Sequence, residues 1–353
     1  MKLLVINPGS TSTKIAVYEN EVPRLVRSIR HTVDELSSFS HIIDQFEFRK
    51  NLVQKELEAN NIPFEFDAIV GRGGLLKPIP GGVYEVNDAM LDDILHAMRT
   101  HACNLGCLIA SELAALLPGC RAFIADPGVV DELDEIARIT GSPLMPRITI
   151  WHALNQRAIA RRYAAEHHTR YEELDLIVCH LGGGISVGVH HHGKAVDVNN
   201  ALDGEGPFSP ERAGTLPAGQ LIDLCCSGRY TKDELKKRIS GRAGLTVHLG
   251  TTDVPAIVRR IEEGDKHAGL VLDAMIYQIA KSIGAASVVL YGKIDAILLT
   301  GGMAHSDYII SRLKERISFL APVHVYPGED EMEALALNAL GALRGELPIR
   351  EYK

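Results

Sequence analysis

The stretch KLLVINPGSTSTKIAVY, residues 2–18, decides how the rest of the chain is read. Apolar and β-branched residues from Lys2 to Ile6 predict a strand, an Asn-Pro-Gly-Ser signal opens a polar turn from Asn7 to Thr13, and Lys14 to Tyr18 resumes as a second strand. The unit is a hairpin. A Rossmann or P-loop fingerprint needs its glycine-rich turn to open a helix, whereas the residues after this turn keep a strand's alternation. The tip offers backbone N–H groups, the Ser10, Ser12 and Thr13 hydroxyls, the Asn7 amide and the Lys14 ammonium, a set that suits phosphate. The same Asn, Pro and Gly also serve a ligand-free tight turn, so both readings stay open on this stretch alone.

A second copy tips the balance. Residues 174–198, LDLIVCHLGGGISVGVHHHGKAVDV, run as an apolar strand to His180, a Leu-Gly-Gly-Gly turn and a strand from Ile185 to Val189. Two such units near the starts of two halves predict a duplicated α/β domain, one phosphate-holding hairpin per half and a nucleotide in the cleft between them.

At 353 residues with 46% hydrophobic content the chain is long enough for two full cores. Its net charge of −8 makes nucleic acid and anionic membrane surfaces poor partners, so an anionic substrate has to be held by a local positive cluster. The six cysteines form no C-x-x-C pair and mostly sit in apolar runs, which reads as reduced thiols and a cytoplasmic setting. The apolar run after Lys2 stops at Asn7-Pro8, short of a secretory signal, and no stretch is long enough to span a bilayer.

Along the chain, RLVRSIRHT continues a meander, helices are predicted over about 41–60 and 88–117, and strands over 67–72 and 121–126. The Pro-rich segment 127–146 leads to a helix from Trp151 to His168. After the second meander come a long loop at 203–217, two short helices and a long one from about 267 to 291. Strand 295–300, a GGMAHS turn, a helix to 317, strand 323–326 and a helix from 331 to 344 complete the pattern. The expected division is 1–148 plus 332–353, with the last helix packing back on the first domain, and 149–331, each holding a mixed five-stranded sheet.

Several residues have the chemistry of a site. Arg72 ends a strand before Gly73 and Gly74, where a guanidinium can clamp an anion while the backbone stays open. Arg212 lies in a loop whose length favours function. Asp126 ends a strand, His152 follows Trp151 at a helix start, and His180 precedes Gly182, Gly183 and Gly184. The triplet His190-His191-His192 is not expected to bind metal, because consecutive strand residues point to opposite faces. Gly301 and Gly302 permit close approach of a ring or ribose, and Glu331, at a helix start, is either a helix-dipole carboxylate or a magnesium-side carboxylate acting through water. Each Arg also has an ordinary surface ion-pair reading.

In their order and spacing, VINPGSTSTK, Arg72-Gly-Gly, Asp126, WHALNQ, HLGGGIS, the Arg212 loop, LLTGGMA and GEDEMEALA together resemble the acetate and butyrate kinases of the actin, sugar-kinase and Hsp70 ATPase superfamily, the shorter butyrate branch most closely. The resemblance spans essentially the whole chain. Departures from the acetate kinase pattern are Gly73-Gly74 after the Arg, Pro127-Gly128 after the Asp, and Trp151 and Ala153-Leu154-Asn155 around the His.

The resemblance implies a ribonuclease-H-like, two-domain enzyme. It would move the γ-phosphoryl of ATP onto a short-chain carboxylic acid with Mg²⁺, and work as a homodimer or higher homo-oligomer. By matching motif, Asn7 and Glu331 would serve the metal and phosphate, and Ser10, Ser12, Lys14 and the turn from His180 to Gly184 the phosphates. Arg72 and Arg212 would hold the transferring group and acyl carboxylate, His152 the transition state, and Gly301-Gly302 the adenosine. Asp126 would act at the catalytic centre, as an orienting group more readily than as a base, since the acceptor acid is already ionised near neutral pH. Gly73, Gly74 and Trp151 would shape the acyl pocket, with room beside Gly74 for a tail longer than a methyl group. The rivals are an acetate or propionate kinase and, from another class, a nucleotide-switch ATPase of the chaperone or filament kind.

Overall fold

The computed structural model describes residues 1–97 and 101–353. Strands β1 (Lys2–Pro8), β2 (Ser12–Glu19) and β3 (Val22–Arg30) form the first meander. β4 (Ala68–Gly71), β5 (Val83–Glu85) and β6 (Arg121–Ala125) follow. The second meander is β7 (Asp175–Leu181), β8 (Ile185–His191) and β9 (Lys194–Val198). β10 (Ala296–Gly301), β11 (Val323–Pro327) and β12 (Ile349–Arg350) close the set.

The sheet orders β12-β5-β6-β4-β1-β2-β3 and β11-β10-β7-β8-β9 share one pattern. In each, an antiparallel meander is continued by two parallel strands, β4 and β6 beside β1 or β10 and β11 beside β7. The duplication is therefore present, but the expected five strands hold only for the second sheet. The first gains β5, antiparallel to β6, and β12 beside it. Strands of three and two residues are too short to leave a period-two signal.

The chain forms two compact units, Met1–Val130 with Asp330–Lys353, and Asp131–Glu329. The change of unit falls at 130 and not at 148 because segment 131–147 is tied to the second unit. Glu132 pairs with Arg157 at 2.9 Å, Asp134 N donates to Val196 O, and Arg147 pairs with Asp197 at 2.8 Å. In the first unit, Leu4, Ile6 and Ile15 pack with Val53 and Leu57 of the helix Phe46–Ala59, while the helix Glu331–Leu343 lies against β1, β4 and β6. In the second, β7 is buried on both faces and its alternation divides it between two cores: Ile177 and Cys179 join that of the helix Lys266–Ser287, and Leu176 and Val178 pack on the helix Ala153–Glu166.

The single helix expected over 88–117 is two helices, Asp88–Leu95 and Asn104–Ala115; the part of that span at 98–100 lies outside the described residues. Four helices, not two, lie between loop 203–217 and the long helix: Ala218–Cys226, Lys232–Ile239, Leu245–Leu249 and Val254–Glu262. A Thr231–Glu234 capping box and the Asp253 and Asp265 caps start three of the helices in this part of the chain. Among the described residues no helix is long and apolar enough to cross a membrane.

Gly106 lets the helix Asn104–Ala115 touch the strand end that carries Arg72, since a Cβ there would lie 2.9 Å from Arg72 N and 3.2 Å from Pro8 Cδ. Gly106→Ala should therefore cost about 1–3 kcal/mol as backbone is pushed aside. A lowered denaturant midpoint at unchanged m-value would register it, and an unchanged midpoint would refute it.

Candidate active site

In the first unit, β1 and β2 pair Asn7 with Lys14 and Pro8 with Thr13, and Gly9 N donates to Ser12 O at 2.7 Å. Ser10 and Lys14 are exposed at this tip and Ser12 is half-buried, so three of the expected phosphate donors face outward. Beneath the turn lies a residue the sequence reading passed over. Arg49, fully buried, donates from Nη1 to Ser12 O and to Thr13 Oγ1, both at 3.0 Å, and from Nε and Nη2 to Gln45 Oε1. Thr13 Oγ1 also meets His31 Nε2 at 2.9 Å. Burial alone pushes the Arg49 guanidinium down to about 10, with no carboxylate among the described residues opposing that shift.

Beside this hairpin, Glu331 joins two elements far apart in sequence. Asn7 Nδ2 donates to its Oε2 at 2.7 Å, and Arg72 Nη1 pairs with its Oε1. The Asn7 amide oxygen and the Glu331 carboxylate are the hard oxygen donors that magnesium takes, directly or through water, so these residues fit that ion. Cys103 lies close enough to feel the charges of Arg72 and Glu331, yet burial dominates and holds its thiol up at about 11.

Asp126 is fully buried at a strained φ of 39°, and its Oδ1 accepts from Gly82 N at 2.7 Å. Gly73 and Gly74 are buried too, but their missing side chains leave no void. A Cβ would meet Pro127 Cβ at 2.7 Å in the one case and Asn104 Cα at 2.7 Å in the other. The expected room beside Gly74 is taken up by close approach of Asn104, whose Oδ1 accepts from Leu75 N.

In the second unit the hairpin tip is Gly182–Gly184, with Gly182 N donating to Gly184 O at 3.1 Å. His180 and His152 stack with ring centroids 3.8 Å apart and planes 11° from parallel. His180 Nδ1 lies 2.7 Å from Asn155 Oδ1, and its Nε2 lies 3.1 Å from Glu329 Oε1. His152 Nδ1 lies 2.8 Å from Ser186 Oγ, which accepts from Gln156 Nε2. The chain of contacts goes on through Gln156 Oε1 to His190 and from His190 to the Tyr171 hydroxyl. Full burial pushes His190 down to about 3 and so keeps it neutral. Trp151 is buried edge-on against His190, so it supports this network from within.

Loop 203–217 docks on the same turn. Ser209 Oγ donates to Gly183 O at 2.6 Å, and Arg212 donates to Ala201 O. Burial lowers the Arg212 guanidinium, with Glu211 and Asp203 opposing. The Arg212 guanidinium lies against Gly184, where a Cβ would displace it from this position. Gly301 adopts φ 93° and exchanges backbone hydrogen bonds with Gly328, while Gly302 faces open space. A cavity of about 930 Å³ lies there, lined among others by Gly182, Gly183, Asp253, Gly302, Tyr308 and Glu329. That is the size of a small-molecule site.

Residues 151–326 match the Acetokinase family. Over 353 residues the chain is 79% identical to a Bacteroides thetaiotaomicron protein named probable butyrate kinase, covering 100% of each. The chain belongs to the acetokinase family. A Phocaeicola vulgatus protein of the same name is 57% identical over 353 residues, 100% of this chain and 99% of that one. This acetokinase-family chain also has the fold of Porphyromonas gingivalis acetate kinase, an actin-like ATPase fold, with TM-score 0.79 at 19% identity over 97% of this chain and 99% of the other.

Within the acetokinase-family frame, Arg49, Asn155, Gln156, Ser186 and Glu329 are the polar residues that sequence reasoning missed. Asn155 and Gln156 follow His152 on the first helical turn, a signal that was legible in WHALNQ. Glu329 and Glu331 sit in one acidic run, and the structure assigns the first to His180 and the second to Asn7 and Arg72. The three histidines do not all point apart. His190 turns inward, but His192 leaves strand geometry at φ 46° and rejoins His191.

Proposed function

We propose that this protein is a butyrate kinase, transferring the γ-phosphoryl of ATP to butyrate or a branched short-chain acid to give ADP and the acyl phosphate, reversibly. The observation that carries the reading is the stacked His152–His180 pair on the triple-glycine turn, with Glu329 linking that pair to the 930 Å³ cavity. The purine and ribose take the cavity at Gly302, and the glycine turn takes phosphate. A carboxylate oxygen attacks the γ-phosphorus as the bond to the β,γ-bridging oxygen breaks, and no proton needs to move. The difficulty is charge, an anion meeting a polyanion. Arg72 and Arg212 neutralise the acid and the transferring group, and His152 donates to it. Asn7 and Glu331 would hold Mg²⁺, which would supply charge neutralisation of the phosphates. Asp126, with an oxygen committed to Gly82 N, orders the loop after β6. By family resemblance the enzyme is a cytoplasmic homo-oligomer.

The choice of acid rests on the relatives, since Asn104 fills the space beside Gly74. Burying two more methylenes than acetate offers is worth about 1.6 kcal/mol, roughly tenfold in kcat/KM. Acyl phosphate trapped as hydroxamate over acetate, propionate, butyrate and isobutyrate should show best efficiency on a four-carbon acid. Highest efficiency on acetate would overturn that choice, and release of inorganic phosphate alone would overturn the kinase reading.

A further inference from the structure

At the end of β7 remote from the triple-glycine turn, two imidazoles and a carboxylate converge. Asp175 and His191 are direct cross-strand partners, and His191 Nδ1 lies 2.5 Å from Asp175 Oδ1. His192, one residue on, would face away from His191 in a regular strand. Its left-handed φ of 46° instead stacks its ring on that of His191, centroids 4.1 Å apart, and brings Nε2 within 3.9 Å of the same Asp175 oxygen. One ligand atom from each residue lies within 4.8 Å of the others.

The backbone under the three residues is fixed. Asp175 N donates to Asp295 Oδ2 at 2.7 Å, Asp295 N returns a bond to Asp175 O, and His192 N donates to Leu174 O. The side chains stay accessible, with 48% of His191 and 59% of His192 exposed, so an ion can enter. We propose that Asp175, His191 and His192 form a surface site for a transition-metal dication such as Zn²⁺ or Ni²⁺.

Donor chemistry sets the class. Two imidazole nitrogens with one carboxylate suit zinc, nickel, cobalt or copper, whereas magnesium prefers all-oxygen surroundings and holds its water. Three protein ligands leave a coordination position to solvent, so the ion is exchangeable. Asp175 and Leu181 are the two ends of β7, about 20 Å apart at strand rise, so metal here pins the β7 and β8 ends together without touching the groups assigned to phosphoryl transfer.

Calorimetric titration of Ni²⁺, and separately Zn²⁺, into the chelator-stripped full chain with millimolar Mg²⁺ present tests this. The wild type should bind one equivalent that weakens at least tenfold in His191→Ala, His192→Ala and Asp175→Asn, each checked for native fold by circular dichroism. Magnesium-dependent activity should be unchanged in all three. Equal binding by wild type and folded variants, or none by wild type at millimolar metal, overturns the site. If a single variant fails to fold, the remaining two decide.

Discussion

Arg72→Ala is expected to lower kcat/KM for the carboxylic acid by about 10²–10³-fold, the usual cost of removing one preorganised donor from a charge-developing centre. Arg72 leaves the end of β4 with its backbone N bonded to Ile6 O, and Gly106 holds the following helix tight against it. The backbone at Arg72 is thus fixed, and its guanidinium pairs with Glu331. Loss of Arg72 also leaves that carboxylate without this cation beside the incoming anions, which works in the same direction. With the nucleotide in the second unit's cavity as proposed, ATP binding should hold within a fewfold. Arg72→Lys should recover little, because an ammonium cannot offer the planar fork. Steady-state kinetics with nucleotide affinity measured separately decide the matter, and equal loss of ATP binding and turnover would remove Arg72 from the role proposed.

Arg49→Met should weaken phosphate-chain binding far more than it weakens the fold. A buried cation with no carboxylate beside it among the described residues is unfavourable by several kcal/mol, and its hydrogen bonds to Ser12 O, Thr13 Oγ1 and Gln45 Oε1 return about the same when each lost bond is set at roughly 1–3 kcal/mol. The two terms cancel to first order, so the melting temperature should move by only a few degrees. An anion on the outer side of the turn changes the balance. At an effective dielectric near 20, a phosphate charge about 7 Å away gains roughly 2 kcal/mol from Arg49, or about thirtyfold in affinity. The expected result is an ATP KM raised at least tenfold, with thermal stabilisation by inorganic pyrophosphate lost. A purely structural arginine would give the reverse, a large drop in melting temperature with pyrophosphate stabilisation intact.

Both hairpins, the duplication and the order of later strands were legible because period-two runs flank turns of Gly, Ser and Asn, a local signal. Arg72, Glu331, His152 and His180 were legible for a different reason: each sits at the end or start of a regular element, where a chain pattern can place it. What sequence did not disclose is non-local. Nothing near Gly74 tells that Asn104 enters the space its missing side chain leaves, and nothing near Ser12 tells that Arg49 reaches under it from a helix 37 residues away. The two histidines at 191 and 192 escaped because one positive φ undoes the alternation on which a face argument depends.

The first unit closes only with residues 330–353, which supply the edge strand β12, the helix covering β1, β4 and β6, and Glu331. Residues 131–329, unbroken in sequence, are made before them. During synthesis the nascent Met1–Val130 segment therefore waits with an apolar sheet face uncovered while the later unit can already fold, an inversion of the usual N-to-C order of domain folding. Chaperone protection would be needed over that interval, and a ribosome stalled near codon 329 would release a chain with one finished half and one sticky one.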